Sequence, residues 1–175
     1  MNTDDRQISG LNPHPVRHLT ADVDGIRMFY REAGPEDAPV ILLLHGFPSS
    51  SRMFGTLIPL LSTRYRVIAP DFPGFGQSDA PPQGSFSYTF DSLADCVAKL
   101  LLQLGISRYA LYVQDYGGPV GFRLALPHPE RVTALIVQNA VAHLEGLSKA
   151  WEIRKSFWLD RAAHEEQIRQ AMLSP

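Results

Sequence analysis

Four short segments of the chain are apolar almost without interruption: residues 40–44, 66–69, 109–113 and 132–137. A strand without alternation is buried on both faces, so these four predict the centre of a parallel sheet. Residues 16–21 and 25–32 read as two strands around a turn at 22–25, a hairpin. Between the strands the apolar period changes. Phe90, Leu93, Ala94, Val97, Leu100, Leu101 and Leu104 recur three and four apart and make one stripe, with Thr89 as N-cap and Gly105 as stop. Asp91 and Asp95 sit toward the end of that helix where its dipole favours an acid. Residues 52–61 and 117–126 predict two further helices, with Pro119 in the first turn of the second, where its missing N–H costs nothing. The order β-β-β-α-β-α-β-α-β is that of an open α/β sheet covered by helices. Residues 80–87, with two Pro and one Gly, predict a surface loop. After Asn139 the strands stop, and Trp151, Arg154, Lys155, Phe157 and Trp158, then 162–172, predict amphipathic helices. The breaker cluster Asn12-Pro-His-Pro15 predicts a flexible tail over 1–15, leaving a core at 16–139 and a helical region at 140–175.

Composition narrows the class. The chain has 175 residues, 45% of them hydrophobic and 19% charged, enough for one domain with a sizeable core. Sixteen Lys and Arg against eighteen Asp and Glu leave a net charge of −2, which offers nucleic acid no basic footprint. No apolar run approaches the ~18–20 residues of a membrane helix, and the polar start Met1-Asn-Thr-Asp-Asp-Arg6 has no signal-peptide core. Cys96, the single cysteine, can form no internal disulfide, so a reducing, cytoplasmic setting is expected.

In an open parallel sheet, ligands bind beyond the carboxyl ends of the strands. Three such ends carry unusual residues: His45-Gly-Phe-Pro-Ser-Ser-Ser51, Pro70-Asp-Phe-Pro-Gly-Phe-Gly-Gln-Ser-Asp79, and Gln114-Asp-Tyr-Gly-Gly118 running straight into a helix. The last has the pattern of a nucleophile elbow with Asp in the usual Ser place. Asp115 would stand above the sheet at a helix N-terminus, which favours an anion. Alternatively Asp115 merely caps that helix, since Asp is a preferred N-cap residue.

His45-Gly-Phe-Pro48, Asp71-x-x-Gly-x-Gly-x-Ser78 and Val113-Gln-Asp-Tyr-Gly-Gly118 together resemble the α/β-hydrolase superfamily, in its Asp-nucleophile branch of haloalkane dehalogenases and epoxide hydrolases. The likeness spans about 16–139 and continues weakly into 140–175, and the motifs fall in the family's order. It implies an α/β-hydrolase fold with helices on both sheet faces, followed by the start of a helical cap. It implies Asp115 as a nucleophile that forms an alkyl-enzyme ester, with the Phe47 and Tyr116 backbone N–H groups as oxyanion hole. His45 would organise its loop, and Asp71 and Ser78 would hold the neighbouring one. No cofactor or metal is implied, and the substrate would be a small hydrophobic organic molecule.

The family places its catalytic acid and histidine late, after the cap and two more strands, and 1–175 carries neither. The chain therefore reads as truncated, with turnover impaired if it ends at Pro175. His128, in a Pro-x-Pro loop, reads as a surface residue, His143 as loop polarity, and His164, beside Glu165 and Glu166, as part of a solvated helix face. Ile168 stands where a zinc His-Glu-x-x-His pattern needs its second His. Where some relatives have an acid after the sixth strand, this chain has Gln138 and Asn139. Many dehalogenases carry Trp after the nucleophile and some carry Asn in the first loop; Tyr116 and Phe47 occupy those positions here, which leans toward an epoxide hydrolase-like reaction. Trp151 and Trp158 either line a substrate pocket or pack the helices that carry them. The alternatives are a dehalogenase-like hydrolase and a non-catalytic fragment or pseudoenzyme. A serine esterase is disfavoured because no Ser occupies the elbow.

Overall fold

The computed structural model describes residues 12–173 and divides into two units, Met1–Ala140 and Val141–Pro175. In the first, six strands form one sheet: β1 (Arg17–Val23), β2 (Ile26–Ala33), β3 (Val40–Leu44), β4 (Arg66–Pro70), β5 (Tyr109–Gln114) and β6 (Val132–Gln138). Their spatial order is β1-β2-β4-β3-β5-β6. β1 and β2 make the expected antiparallel hairpin, its turn closed by the Gly25 N–H donating to Asp22 Oδ1 at 3.0 Å. β2 also runs antiparallel to β4, and the pairs β4–β3, β3–β5 and β5–β6 are parallel.

Of the uninterrupted apolar strands, β3, β4 and β5 place side chains in clusters on both faces of the sheet, because successive residues point to opposite faces. Leu42, Leu44, Ile68, Leu111 and Val113 enter one apolar cluster, where α2 (Phe90–Gln103) and α3 (Gly117–Ala125) contribute Leu93, Val97, Leu100, Val120 and Leu124. Ile41, Leu43, Val67 and Ala69 enter a second cluster with Phe54 and Ile58, the latter from α1 (Leu57–Leu61). Helices therefore cover both faces of a mostly parallel sheet, as the order of elements predicts and as the family resemblance implies. β1 alternates instead, with Leu19, Ala21 and Val23 on the first cluster. Glu32 of β2 is 3% exposed and is held by Arg66 Nε at 2.7 Å and by Arg17 at 3.3 Å, which pairs the buried charge.

One predicted element is corrected. Residues 52–61 do not form a single helix; a 3₁₀ turn at Ser51–Phe54 is followed by the separate short helix α1. Pro59 gives the reason. It has no N–H to donate to the Gly55 carbonyl four residues back, and its ring would crowd that carbonyl. In the first turn of α1 the same residue needs no partner.

The expected burial of 132–137 on both faces is also corrected: in β6, Leu135, Ile136 and Val137 are 49%, 44% and 47% exposed. Among the described residues β6 is an edge of the sheet. The predicted tail at 1–15 lies outside the described residues as far as position 11, and the His14 N–H donates to Ser62 Oγ at 3.0 Å.

The second unit contains no strand among its described residues. Short 3₁₀ turns at Leu144–Gly146 and Lys149–Trp151 precede α4 (Glu152–Leu159) and α5 (Arg161–Leu173). None of the described side chains of α5 is buried. Glu165 accepts from Arg161 at 3.4 Å and Arg169 at 3.3 Å, and the hydrogen bond from Arg161 is the main reason its carboxyl lies below the usual carboxylate range. No helix among the described residues is long and apolar enough to cross a membrane.

Candidate active site

β4, β3 and β5 are adjacent and parallel, so their carboxyl ends place the three motif loops side by side. Asp115 follows the last residue of β5, and its φ of 48° puts it in the left-handed region. Asp tolerates that conformation better than most residues, yet it is strained, and such strain concentrates at functional sites. The strand-to-helix turn it creates is tight. A Cβ on Gly117 would come within 2.2 Å of the Leu44 carbonyl oxygen, and one on Gly46 within 2.5 Å of Asp115 Cβ. Only glycine at these two positions lets β3, its loop and the elbow approach so closely.

The capping alternative for Asp115 does not describe what its side chain does. The cap position of α3 is Tyr116, with φ −60°, and no side chain caps there. Asp115 Oδ1 instead accepts the Phe47 backbone N–H from the β3 loop at 2.8 Å. Only the backbone carbonyl of Asp115 serves the helix, accepting from the Gly118 N–H at 2.9 Å. The carboxylate is half-buried, and no histidine hydrogen-bonds it among the described residues.

The surrounding loops are fixed by buried polar groups. His45 is fully buried; its Nδ1 lies 2.9 Å from the Gly46 carbonyl and its Nε2 accepts the Phe72 N–H at 3.2 Å. With both nitrogens engaged this ring ties the β3 loop to the β4 loop. Burial pushes its pKa below the ordinary histidine value, so it is held neutral. Asp71, 1% exposed, accepts from Ser51 N–H at 2.7 Å and Gln77 N–H at 2.8 Å. Ser78 Oγ donates to the Asp71 carbonyl at 2.7 Å and accepts the Phe29 N–H at 2.8 Å.

The rings of Phe47 and Tyr116, the residues that flank the elbow, form part of an aromatic cluster. Phe47 and Tyr116 lie 5.4 Å apart between centroids, Phe90 meets Tyr116 edge-on at 5.0 Å, and Phe75 meets Phe47 edge-on at 6.2 Å. Phe75 and Phe90 were not among the residues the sequence singles out. Phe90 reads there only as one member of the α2 stripe, and nothing in a linear pattern says which end of the stripe reaches the elbow. Gln138 accepts from the Tyr112 hydroxyl, and Asn139 has a φ of 47°. Of the other histidines, His128 lies 3.3 Å from Glu130, and His164 Nδ1 lies 3.4 Å from Gln167 Oε1. In the second unit the Trp151 and Trp158 rings are 5.9 Å apart, with the Arg154 guanidinium over Trp151 at 4.8 Å. Among the described residues no three His, Cys, Asp or Glu side chains gather as a metal site would need.

Comparison with known proteins accords with this geometry. Residues 39–173 match the family model described as alpha/beta hydrolase fold. An uncharacterized hydrolase of Saccharomyces cerevisiae is 49% identical over 136 residues, 77% of this chain and 46% of the relative. A haloalkane dehalogenase of Mycolicibacterium paratuberculosis is 39% identical over 145 residues, 79% of this chain and 48% of the relative. The crystal structure of an epoxide hydrolase from Vigna radiata superposes with a TM-score of 0.64 at 37% identity, covering 70% of this chain and 39% of that one. The chain spans about half the length of the curated relatives it matches. A family match over most of the chain, on a sheet whose central strands already end in a strand–turn–helix elbow, places the protein in the α/β-hydrolase fold family.

Proposed function

We propose that the protein is a hydrolase working through Asp115 as nucleophile, on a small hydrophobic substrate with an electrophilic saturated carbon. The observation that carries this reading is the strained Asp115 with one carboxylate oxygen held by the Phe47 N–H. Holding Oδ1 leaves Oδ2 to attack. An ionised carboxylate needs no base for this step. The Oδ2–carbon bond forms while the carbon–halogen or carbon–oxygen bond breaks. A halide departs as the anion; an opened epoxide keeps its oxygen as an alkoxide and takes a proton from water. Oδ1 becomes the ester carbonyl oxygen. When water or hydroxide then adds to that ester, Oδ1 becomes the oxyanion, already beside Phe47 N–H and one residue from Tyr116 N–H.

Between the two substrate classes the residues favour an epoxide. Phe47 and Tyr116 offer no side-chain N–H for a departing halide, whereas the relatives include enzymes named for each class. The water-activating base is not assigned to His45, whose nitrogens are both engaged.

The test is intact-mass measurement after incubating folded protein with styrene oxide and, separately, a bromoalkane. The expected result is a covalent increment that Asp115→Asn abolishes, formed faster from the epoxide. Faster reaction with the bromoalkane would favour the dehalogenase-like reading. No increment from either reagent would point to the non-catalytic alternative.

A further inference from the structure

The two residues whose N–H groups would form the oxyanion hole also carry rings in contact with each other. Phe47 lies on the β3 loop and Tyr116 at the entry to α3, and their rings pack at 5.4 Å with an interplanar angle of 32°. The spacing of those rings is coupled to the spacing of the two backbone segments that bear the donors. The pair is buttressed from outside. Phe90, the first residue of α2, presents its edge to Tyr116 at 5.0 Å and 84°. Behind Phe90 the Arg123 guanidinium lies 5.7 Å from the ring centroid. Arg123 is itself fixed at two points, donating from Nε to Asp91 Oδ1 at 2.6 Å and from Nη1 to the Pro119 carbonyl at 3.0 Å. On the far side, Phe75 closes on Phe47 at 6.2 Å.

We propose that Phe90 is a positioning residue: its ring, backed by Arg123, holds Tyr116 against Phe47 and so keeps the two backbone donors in register on Asp115. The inference rests on the nucleophile reading above. Edge-to-face contact is directional, so a flexible aliphatic side chain of similar bulk fills the space without fixing the Tyr116 ring. The step most sensitive to donor register is ester hydrolysis. There hydroxide adds to the Asp115 ester carbon, negative charge collects on Oδ1, and collapse expels the alkoxide, which is protonated by water. Ester formation moves charge away from Oδ1 and depends less on the donors.

The experiment compares wild type, Phe90→Leu and Phe90→Tyr in two measurements. In the first, the Asp115 ester formed from styrene oxide is isolated, and its formation and hydroxide-driven decay are followed by mass. Loss of an oxyanion donor costs about 100- to 1,000-fold, and a misaligned one less. Phe90→Leu should therefore slow decay about tenfold while changing formation less than about threefold. Phe90→Tyr, which keeps the ring, should restore decay. In the second, the amide proton resonance of Phe47, which donates to the Asp115 carboxylate, is recorded by NMR without any reagent. Phe90→Leu should shift it upfield, and Phe90→Tyr should leave it in place. Unchanged decay and an unmoved Phe47 resonance in folded Phe90→Leu would overturn the proposal, as would equal defects in the Leu and Tyr variants. If wild type forms no ester, the nucleophile reading fails, and the resonance alone decides the role of Phe90. If Phe90→Leu does not fold, Arg123→Met, at an exposed position, should produce the same upfield shift by releasing the ring from behind.

Discussion

At Asp115 backbone and side chain serve one purpose: a left-handed φ turns the chain from β5 into α3 while the carboxylate reaches across to the β3 loop. His45, two residues before Phe47, is the counterpart that keeps this loop still, and it makes a stability prediction. Burial lowers its pKa, so the folded protein holds the ring neutral. Above the unfolded histidine pKa of about 6.5, both states are neutral there and pH has no effect through this group. As pH falls below about 6.5 the unfolded chain takes up a proton that the folded chain resists, and stability is lost until the lowered folded pKa is passed. Urea unfolding midpoints of wild type should decline over that range. His45→Gln should be less stable at neutral pH, having lost a fitted donor–acceptor pair, but with a shallower decline. Equal slopes for the two proteins would show that His45 is not a site of this proton linkage.

At the scale of elements, periodicity was a good guide wherever burial was symmetric. β3, β4 and β5 were legible because the two clusters cover both their faces, β6 only as an apolar run whose side chains are largely exposed, and the α2 stripe because one face of that helix is core. Its N-cap was legible too: Thr89 Oγ1 accepts the Ser92 N–H at 3.2 Å, and Thr89→Ala should cost about 1 kcal/mol in urea denaturation. A cost near zero would mean that the first turn of α2 is held by Phe90 packing rather than by the cap. The helix expected over 52–61 failed because apolar spacing outweighed Pro59, whose effect falls four residues upstream at Gly55. In the site, Asp115 was legible as a residue type at a turn, and Phe47 only through family resemblance. The bond between them is a contact across 68 positions, and a pattern confined to neighbours carries no such information. Phe90 was legible as core, and its edge-on contact with Tyr116 was not, for the same reason.

For the whole molecule, the described sheet ends at β6 with Leu135, Ile136 and Val137 partly open to solvent. An apolar strand edge is a template for pairing with another chain. A polypeptide of these 175 residues alone should therefore self-associate at micromolar concentration, and Ile136→Lys should reduce the effect in light scattering. A monodisperse wild-type sample with cooperative melting would contradict this. The larger claim, that Asp115 forms an ester which water opens at its carbonyl, is tested most directly by isotope transfer. The ester is formed from styrene oxide, allowed to hydrolyse in heavy-oxygen water at raised pH, and the Asp115 peptide is sequenced by mass spectrometry. If water attacks the ester carbonyl, the heavy oxygen stays in the Asp115 carboxylate and the released diol is unlabelled. Label found only in the diol, with an unlabelled Asp115, would mean that water attacks the substrate carbon and that the proposed hydrolytic step is wrong.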